Sequence, residues 1–158
     1  MTRPFSADEI LPGIFLGGSR DASNLEGLKA KGITHILNVA DDVSNFHPDH
    51  FTYLRLDVKD YGMDEGMGRV FCQGLEFVQH ATGPVLIHCM MGVNRSATMT
   101  VVVAMVLRSW TLREAFEHVK KSRPRVSPME DNQRELIKYE KKIRGGKSDI
   151  PKDWAPNL

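Results

Sequence analysis

The sequence predicts a single α/β domain: a central, mostly parallel sheet of mixed direction, flanked by helices. Three observations carry this. Short β-branched apolar runs alternate with segments of helical spacing through the first two thirds of the chain, and helices cluster afterwards, which is the layout of a sheet with crossover helices. The chain has 158 residues, enough for one core. Hydrophobic residues make up 41% and charged residues 26%, as in ordinary globular proteins and unlike disordered or membrane chains.

The elements follow in order. Residues 1–12 read as a short lead-in, and Ile14-Phe15-Leu16-Gly17 as a brief strand. Residues 21–30 have helical character and stop at Lys31-Gly32, a cation followed by the residue that best accepts a left-handed cap. Residues 33–39, ITHILNV, are a buried strand. Residues 53–58 alternate, with Leu54, Leu56 and Val58 on one face and Tyr53, Arg55 and Asp57 on the other. The glycine-rich acidic loop DYGMDEGMG comes next, and Val70, Gly74, Leu75 and Val78 then recur at helical spacing. Residues 85–88 form the next strand. Residues 96–108 are apolar nearly all round, as a helix packed on both sides must be, so Met99, Met105 and Val101 to Val103 belong to the core. Thr111 and Glu114 make a capping box for a helix that buries Leu112, Ala115, Phe116 and Val119. Ser127, Pro128 and Glu130 read as another, with Ser127 as N-cap and Pro128 at the first helical position; Leu136, Tyr139 and Ile143 carry that helix to Gly145-Gly146. Residues 147–158, with Pro151 and Pro156, read as a loose C-terminal tail.

Charge and cysteine content narrow the function. A formal net charge of +1 gives no global attraction to nucleic acid or to an anionic membrane, so neither is expected as a partner. Two cysteines, Cys72 and Cys89, cannot build a disulfide framework and fit a reducing compartment. The N-terminal stretch MTRPFSADEI has neither an apolar signal region nor a glycine at position 2, and no apolar run approaches the ~20 residues of a membrane span. The expected location is the cytoplasm, with the nucleus as a second compartment.

The chemistry concentrates in VLIHCMMGVNRSATMT. A strand ends at His88-Cys89, five residues of loop follow, and a helix opens at Arg95-Ser96. The first N–H groups of a helix lack internal partners and carry partial positive charge, so such a loop cradles an oxyanion. Gly92 in its middle permits the curl. A helix N-terminus and an adjacent guanidinium favour thiolate over thiol, which makes Cys89 a nucleophile inside an anion cup. The planar fork of Arg95 suits two phosphate oxygens at once. The Ser96 hydroxyl is placed to donate to the sulfur as it leaves. His88 points to the opposite face from Cys89 and reads as a structural histidine bonded to the loop backbone.

Phosphoryl transfer also needs an acid for the leaving oxygen. Asp57 lies within the strand, whereas Asp60 lies just past its end, where a loop can reach the cup; Asp64 and Glu65 are weaker candidates. Against this stand plainer readings. A lone cysteine is usually an inert buried thiol, but His88, Gly92, Arg95 and Ser96 all stand in register with Cys89. Cys72 is most simply a core residue, with pairing to oxidised Cys89 as the sharper alternative. The cluster Lys120-Lys121-Ser122-Arg123-Pro124-Arg125 reads as a solvated helix end that also attracts acidic phosphoprotein segments.

HCMMGVNRS fits the HCxxGxxRS signature of the cysteine-dependent protein tyrosine phosphatases, and the chain most resembles their dual-specificity branch. ILPGIFLGG, GITHILNVA, YLRLDVKDYG and WTLREAFEHVKKSRP stand where that branch has similar segments, so the resemblance covers roughly residues 8–143. It implies a phosphatase-type fold over residues 1–146 and the small, atypical group. It implies Cys89 as nucleophile, Arg95 as phosphate-binding arginine, Asp60 as general acid and then base toward water, and Ser96 as the hydroxyl after the arginine. Met90, Met91, Gly92, Val93, Asn94 and Arg95 would line the phosphate. No metal or organic cofactor is implied, and the substrates would be proteins carrying phosphotyrosine, phosphoserine or phosphothreonine. Met90 and Met91 are bulkier than is common there, and Met129 stands where an asparagine often bonds back to the loop. Two other readings stand beside this one: a weakly active module that holds phosphoproteins, and a phosphatase acting on lipid, RNA or glucan phosphate. The absence of lysine between Cys89 and Arg95 weighs against the lipid, and the lack of an aromatic platform against RNA.

Overall fold

Side chains on neighbouring strands fall into rungs that decide which residues meet. The structure, a computed structural model, describes residues 4–61 and 66–154. Asp64 and Glu65 lie outside the described residues. Five strands, β1 (Asp8–Leu11), β2 (Ile14–Gly17), β3 (His35–Asn38), β4 (Thr52–Arg55) and β5 (Val85–His88), form one sheet in the order β1-β2-β5-β3-β4. Every pairing is parallel except the β1–β2 hairpin. One rung runs Leu16, Ile87, Leu37, Leu54; the rung beside it runs Phe15, Leu86, Ile36, Tyr53. Because successive side chains alternate, the first rung enters the larger core and the second a smaller core on the other face.

The helices are α1 (Ser19–Ser23), α2 (Leu25–Ala30), α3 (Phe71–His80), α4 (Arg95–Arg108), α5 (Leu112–Ser122) and α6 (Glu130–Ile143), with a 3₁₀ turn Met67–Val70 leading into α3. Ala22 and Leu28 of α1 and α2 cover the smaller core; the other helices cover the larger. Residues 95–105 of α4 are all buried, and α4 packs against the sheet, α3, α5 and α6 together. The capping box at Thr111 forms, and α5 buries Leu112, Ala115, Phe116 and Val119 as its spacing dictates.

Five expectations change. Strand β4 ends at Arg55, so Asp57 lies beyond it rather than within it, although Leu56 and Val58 are still buried. The lead-in contains β1, an edge strand whose acidic start hides it; the turn that makes the hairpin is Pro12-Gly13, with Gly13 at φ 77°. The segment 21–30 is two helices, because the Asn24 side chain accepts from Gly27 N and caps α2 afresh. Helix α6 starts at Glu130 with Met129 as its N-cap, so Ser127 and Pro128 lie outside it; the Ser127 amide instead donates to Val93 O at 2.8 Å.

The chain after α6 is no loose tail as far as it is described. Glu140, fully buried, accepts from Leu112 N (2.9 Å), Arg144 Nη1 (2.7 Å), Ser148 Oγ (2.9 Å) and Asp149 N (2.7 Å). Arg113 pairs with Asp149 at 2.9 Å, and Trp154, 7% exposed, stacks edge-on against Phe116. A buried, hydrogen-bonded carboxylate joins two helix ends and the following segment, so their order is mutual. Trp154→Ala therefore removes a packed indole and lowers stability by about 3 kcal/mol in urea unfolding; a change below ~0.5 kcal/mol would show that the segment is not part of the core.

Candidate active site

The sheet ends on a polar rung, Gly17, His88, Asn38 and Arg55, at the C-terminal edge of its parallel strands, where α/β proteins place their sites. Cys89 follows β5 directly. It is 2% exposed and packs with Ala40 and Val43 after β3. Its Sγ lies 3.0 Å from Ser96 Oγ in the first turn of α4.

Four consecutive loop carbonyls between Cys89 and α4 are taken up from outside. Met90 O accepts from Ser19 N (2.9 Å), Gly92 O from Arg123 Nε (2.9 Å) and Val93 O from Ser127 N (2.8 Å), while Met91 O lies 3.4 Å from Arg123 Nη2. The peptide bonds are trans, so the amide across each points the opposite way, inward. The result is a concave nest of N–H groups at the mouth of α4. Asn94 is the N-cap residue, yet its side chain makes no capping hydrogen bond, so the first amides of α4 stay open. Gly92 is required by both criteria: its φ is +69°, and a Cβ there would lie 2.7 Å from Gly17 O. Gly18 is required by approach alone, since a Cβ would lie 2.8 Å from Met90 O.

Arg95 is 1% exposed. Its Nη1 donates to Val58 O and to Asp42 Oδ1, both at 2.9 Å, and reaches Asp41 Oδ1 at 3.5 Å. Its Nη2 stands 3.7 Å from Asp60 Oδ2, and its buried Nε has no hydrogen-bond partner among the described residues. Burial pulls the guanidinium toward the neutral form, but the Asp42 hydrogen bond, the sulfur of Cys89 and the carboxylates of Asp42 and Asp60 outweigh it and raise the group above its ordinary value. One side of the fork is thus pinned to protein, and Nε is left for a ligand oxygen.

Asp60 comes to this centre and Asp57 does not. Asp60 Oδ1 accepts from Asn94 Nδ2 at 2.7 Å, whereas Asp57 is exposed beside Arg55. The loop residues proposed to line the phosphate divide. Gly92, Asn94 and Arg95 are buried and Val93 is half-buried, while Met90 (37% exposed) and Met91 (61%) face outward. Asp41, Asp42 and Arg123 are the site residues that sequence reasoning overlooked or misplaced. Two acids right after an apolar strand, at the edge where α/β sites form, were the available signal for the first two. Arg123 is no solvated charge: it is 2% exposed, with Nη1 on Asp8 Oδ2 at 2.8 Å and its other nitrogens on the loop. Cys72 is no core residue either, but exposed on α3, where it lines a surface cavity of about 350 Å³ with Arg69, Glu135 and Lys138. The structure does not bring it to Cys89.

Known proteins share the sequence and the fold of this chain. The family described as dual specificity phosphatase, catalytic domain, matches residues 14–142. The chain belongs to that family. It is 36% identical over 160 residues to the protein phosphatase Slingshot homolog of Xenopus laevis, covering 99% of this chain and 23% of that protein. It is 34% identical over 141 residues to human dual specificity protein phosphatase 9, covering 86% and 36%. The chain therefore spans between about a fifth and two fifths of the length of these relatives. The crystal structure of human DUSP28 superimposes with a TM-score of 0.81 at 28% identity, covering 90% of this chain and 97% of that one.

His88 completes the site as a structural residue. It is fully buried, and Nδ1 donates to Cys89 O at 3.2 Å. Burial pushes its imidazole down to about 4, only partly opposed by the hydrogen bond to the Cys89 carbonyl, so it is neutral at physiological pH. In the unfolded chain it takes up a proton near pH 6.5, before the folded form does. Its contribution is therefore intact above about pH 6.5 and is lost progressively as pH falls toward 4, on the order of 3 kcal/mol in all. In His88→Asn, the stability lost between pH 7 and about 4.5 in denaturant titrations should shrink by ~2 kcal/mol; equal losses in both proteins would mean that His88 titrates normally.

Proposed function

We propose that the chain hydrolyses phosphate monoesters on proteins carrying phosphotyrosine, phosphoserine or phosphothreonine, through a cysteinyl-phosphate. The observation that supports this most is the buried Arg95 guanidinium, with one side held by Asp42 and Val58 and its Nε unpaired beside the amide nest and Cys89. A buried donor without a partner is costly, and a phosphoryl oxygen satisfies it.

In the first step Cys89 Sγ attacks phosphorus as the ester oxygen departs. The nest amides and Arg95 hold the three non-bridging oxygens while charge builds on them. Asp60 protonates the departing alcohol or phenol. In the second step Asp60, now a carboxylate, takes a proton from water, water displaces sulfur, and the Ser96 hydroxyl, 3.0 Å from Sγ, donates to the leaving thiolate. Inorganic phosphate leaves. Met90 and Met91 of the loop and Tyr61, next to Asp60 in sequence, are exposed, and in this reading they meet the residue that bears the phosphate. Two free cysteines and a reaction that needs Cys89 reduced support a reducing setting, the cytoplasm with the nucleus as a second compartment. No helix among the described residues is long and apolar enough to cross a membrane.

Steady-state assays with an aryl phosphate and with phosphotyrosine, phosphoserine and phosphothreonine peptides test the reading. Cys89→Ser should lose at least ~10⁴-fold in kcat and still bind phosphoproteins. Asp60→Ala should lose about 100- to 10,000-fold. Near-native turnover by Cys89→Ser would remove Cys89 as the nucleophile. Native turnover no faster than that of Cys89→Ser, with phosphoprotein binding retained, would favour the holding module instead.

A further inference from the structure

Asparagine is among the best N-cap residues, because its side-chain oxygen can accept from the open amides of the helix it begins. Asn94 occupies that position on α4 and does not cap it. Its side chain turns the other way, with both ends of the amide hydrogen-bonded. Oδ1 accepts from Met129 N at 2.7 Å and from Asn132 Nδ2 at 3.0 Å, and Nδ2 donates to Asp60 Oδ1 at 2.7 Å. The amide can sit only this way round. Turned over, its NH₂ would face two donors and its oxygen a carboxylate. Asn94 is 8% exposed, so water does not compete freely for these bonds.

The consequence falls on Asp60. Its Oδ1 accepts two N–H donors, Asn94 Nδ2 at 2.7 Å and Tyr61 N at 3.1 Å. An oxygen that accepts two donors is a poor place for an acid proton, because an O–H there would face N–H groups. Oδ2 is the other oxygen, 3.7 Å from Arg95 Nη2 and so on the side of the phosphate-binding fork. We propose that Asn94 is a positioning residue that selects Oδ2 of Asp60 as the oxygen carrying the proton given to the leaving group, and that it couples this carboxyl to the start of α6. The proposal rests on the phosphatase reading. As the Sγ–P bond forms and the P–O bond breaks, the electron pair of that bond goes to the ester oxygen, which takes the proton from Oδ2 and leaves Asp60 as carboxylate. The tie to Met129 and Asn132 explains how a chain with methionine at position 129 still joins α6 to the loop: the side-chain amide comes from position 94.

The test is a variant that keeps the α6 tie and removes only the donor. Asn94→Asp retains an oxygen for Met129 N and Asn132 Nδ2 and sets a second carboxylate against Asp60. Its kcat/KM should fall about 10-fold or more for esters with poor leaving groups, such as phosphoserine peptides, and less than about 3-fold for an activated aryl phosphate. In an Asp60→Ala background the same substitution should add no further dependence on the leaving group. Equal losses across all leaving groups, or the same added dependence without Asp60, would overturn the proposal. A second measurement needs neither turnover nor the folding of Asn94→Asp. In ¹⁵N spectra of the native chain, the Asn94 side-chain NH₂ signals should shift on Asp60→Ala; unchanged signals would overturn the hydrogen bond itself. An inert native chain whose Asn94 signals still respond would overturn the phosphatase reading and the catalytic half of the proposal, with the tie left standing.

Discussion

The site depends on where the carbonyls between Cys89 and α4 are held. A peptide group is a rigid plane, so a carbonyl fixed outward fixes an amide inward. Ser19, Arg123 and Ser127 grip the loop from α1, from the end of α5 and from the approach to α6. Four successive peptide dipoles therefore point at one centre without help from any ligand. Pre-set dipoles of this kind stabilise developing charge without reorganising at the moment of reaction. The burial of Arg123 follows from the same need. A surface arginine would fray, whereas one 2% exposed and anchored on Asp8 holds the loop to the edge strand.

Arg95 is the second element of that centre, and its burial dictates the neighbouring loops. A buried guanidinium costs several kcal/mol unless its N–H groups are matched. Val58 O and Asp42 match Nη1, which fixes the turn after β3 and the chain after β4 in place. Asp60 follows Val58 by two residues, so the acid is delivered to the cup by the backbone that pins the arginine. The anion cup, the buried cation and the acid are one linked arrangement.

Much of this was legible in the sequence because it is local. The strand at residues 85–88, the helix after Arg95 and the capping box at Thr111 follow from periodicity and short-range hydrogen bonding. The positions of Cys89, Arg95 and Ser96 follow from the spacing of loop and helix. What escaped depends on long-range partners. Arg123 looks like one cation in a solvated run until Asp8 and Gly92, 115 and 31 residues away, are brought beside it. Trp154 looks like tail until Phe116 is opposite it. Ser127 and Pro128 show a plausible cap, but the Ser127 amide is claimed by Val93, and Asn94 supplies the acceptor for Met129 N. Cys72 misleads in the other direction. Its helical register allows either face, and only the packing of α3 shows it exposed.

The central claim is that the nest, Arg95 and Cys89 converge on one phosphorus atom and that sulfur bonds to it. Acid quenching of the enzyme during turnover of a phosphopeptide, followed by mass spectrometry of the digested protein, tests this most directly. The account predicts phosphate on Cys89 in the native chain and none in Cys89→Ser. Rapid turnover with no phosphoenzyme at any quench time, or with phosphate on a different residue, would contradict it.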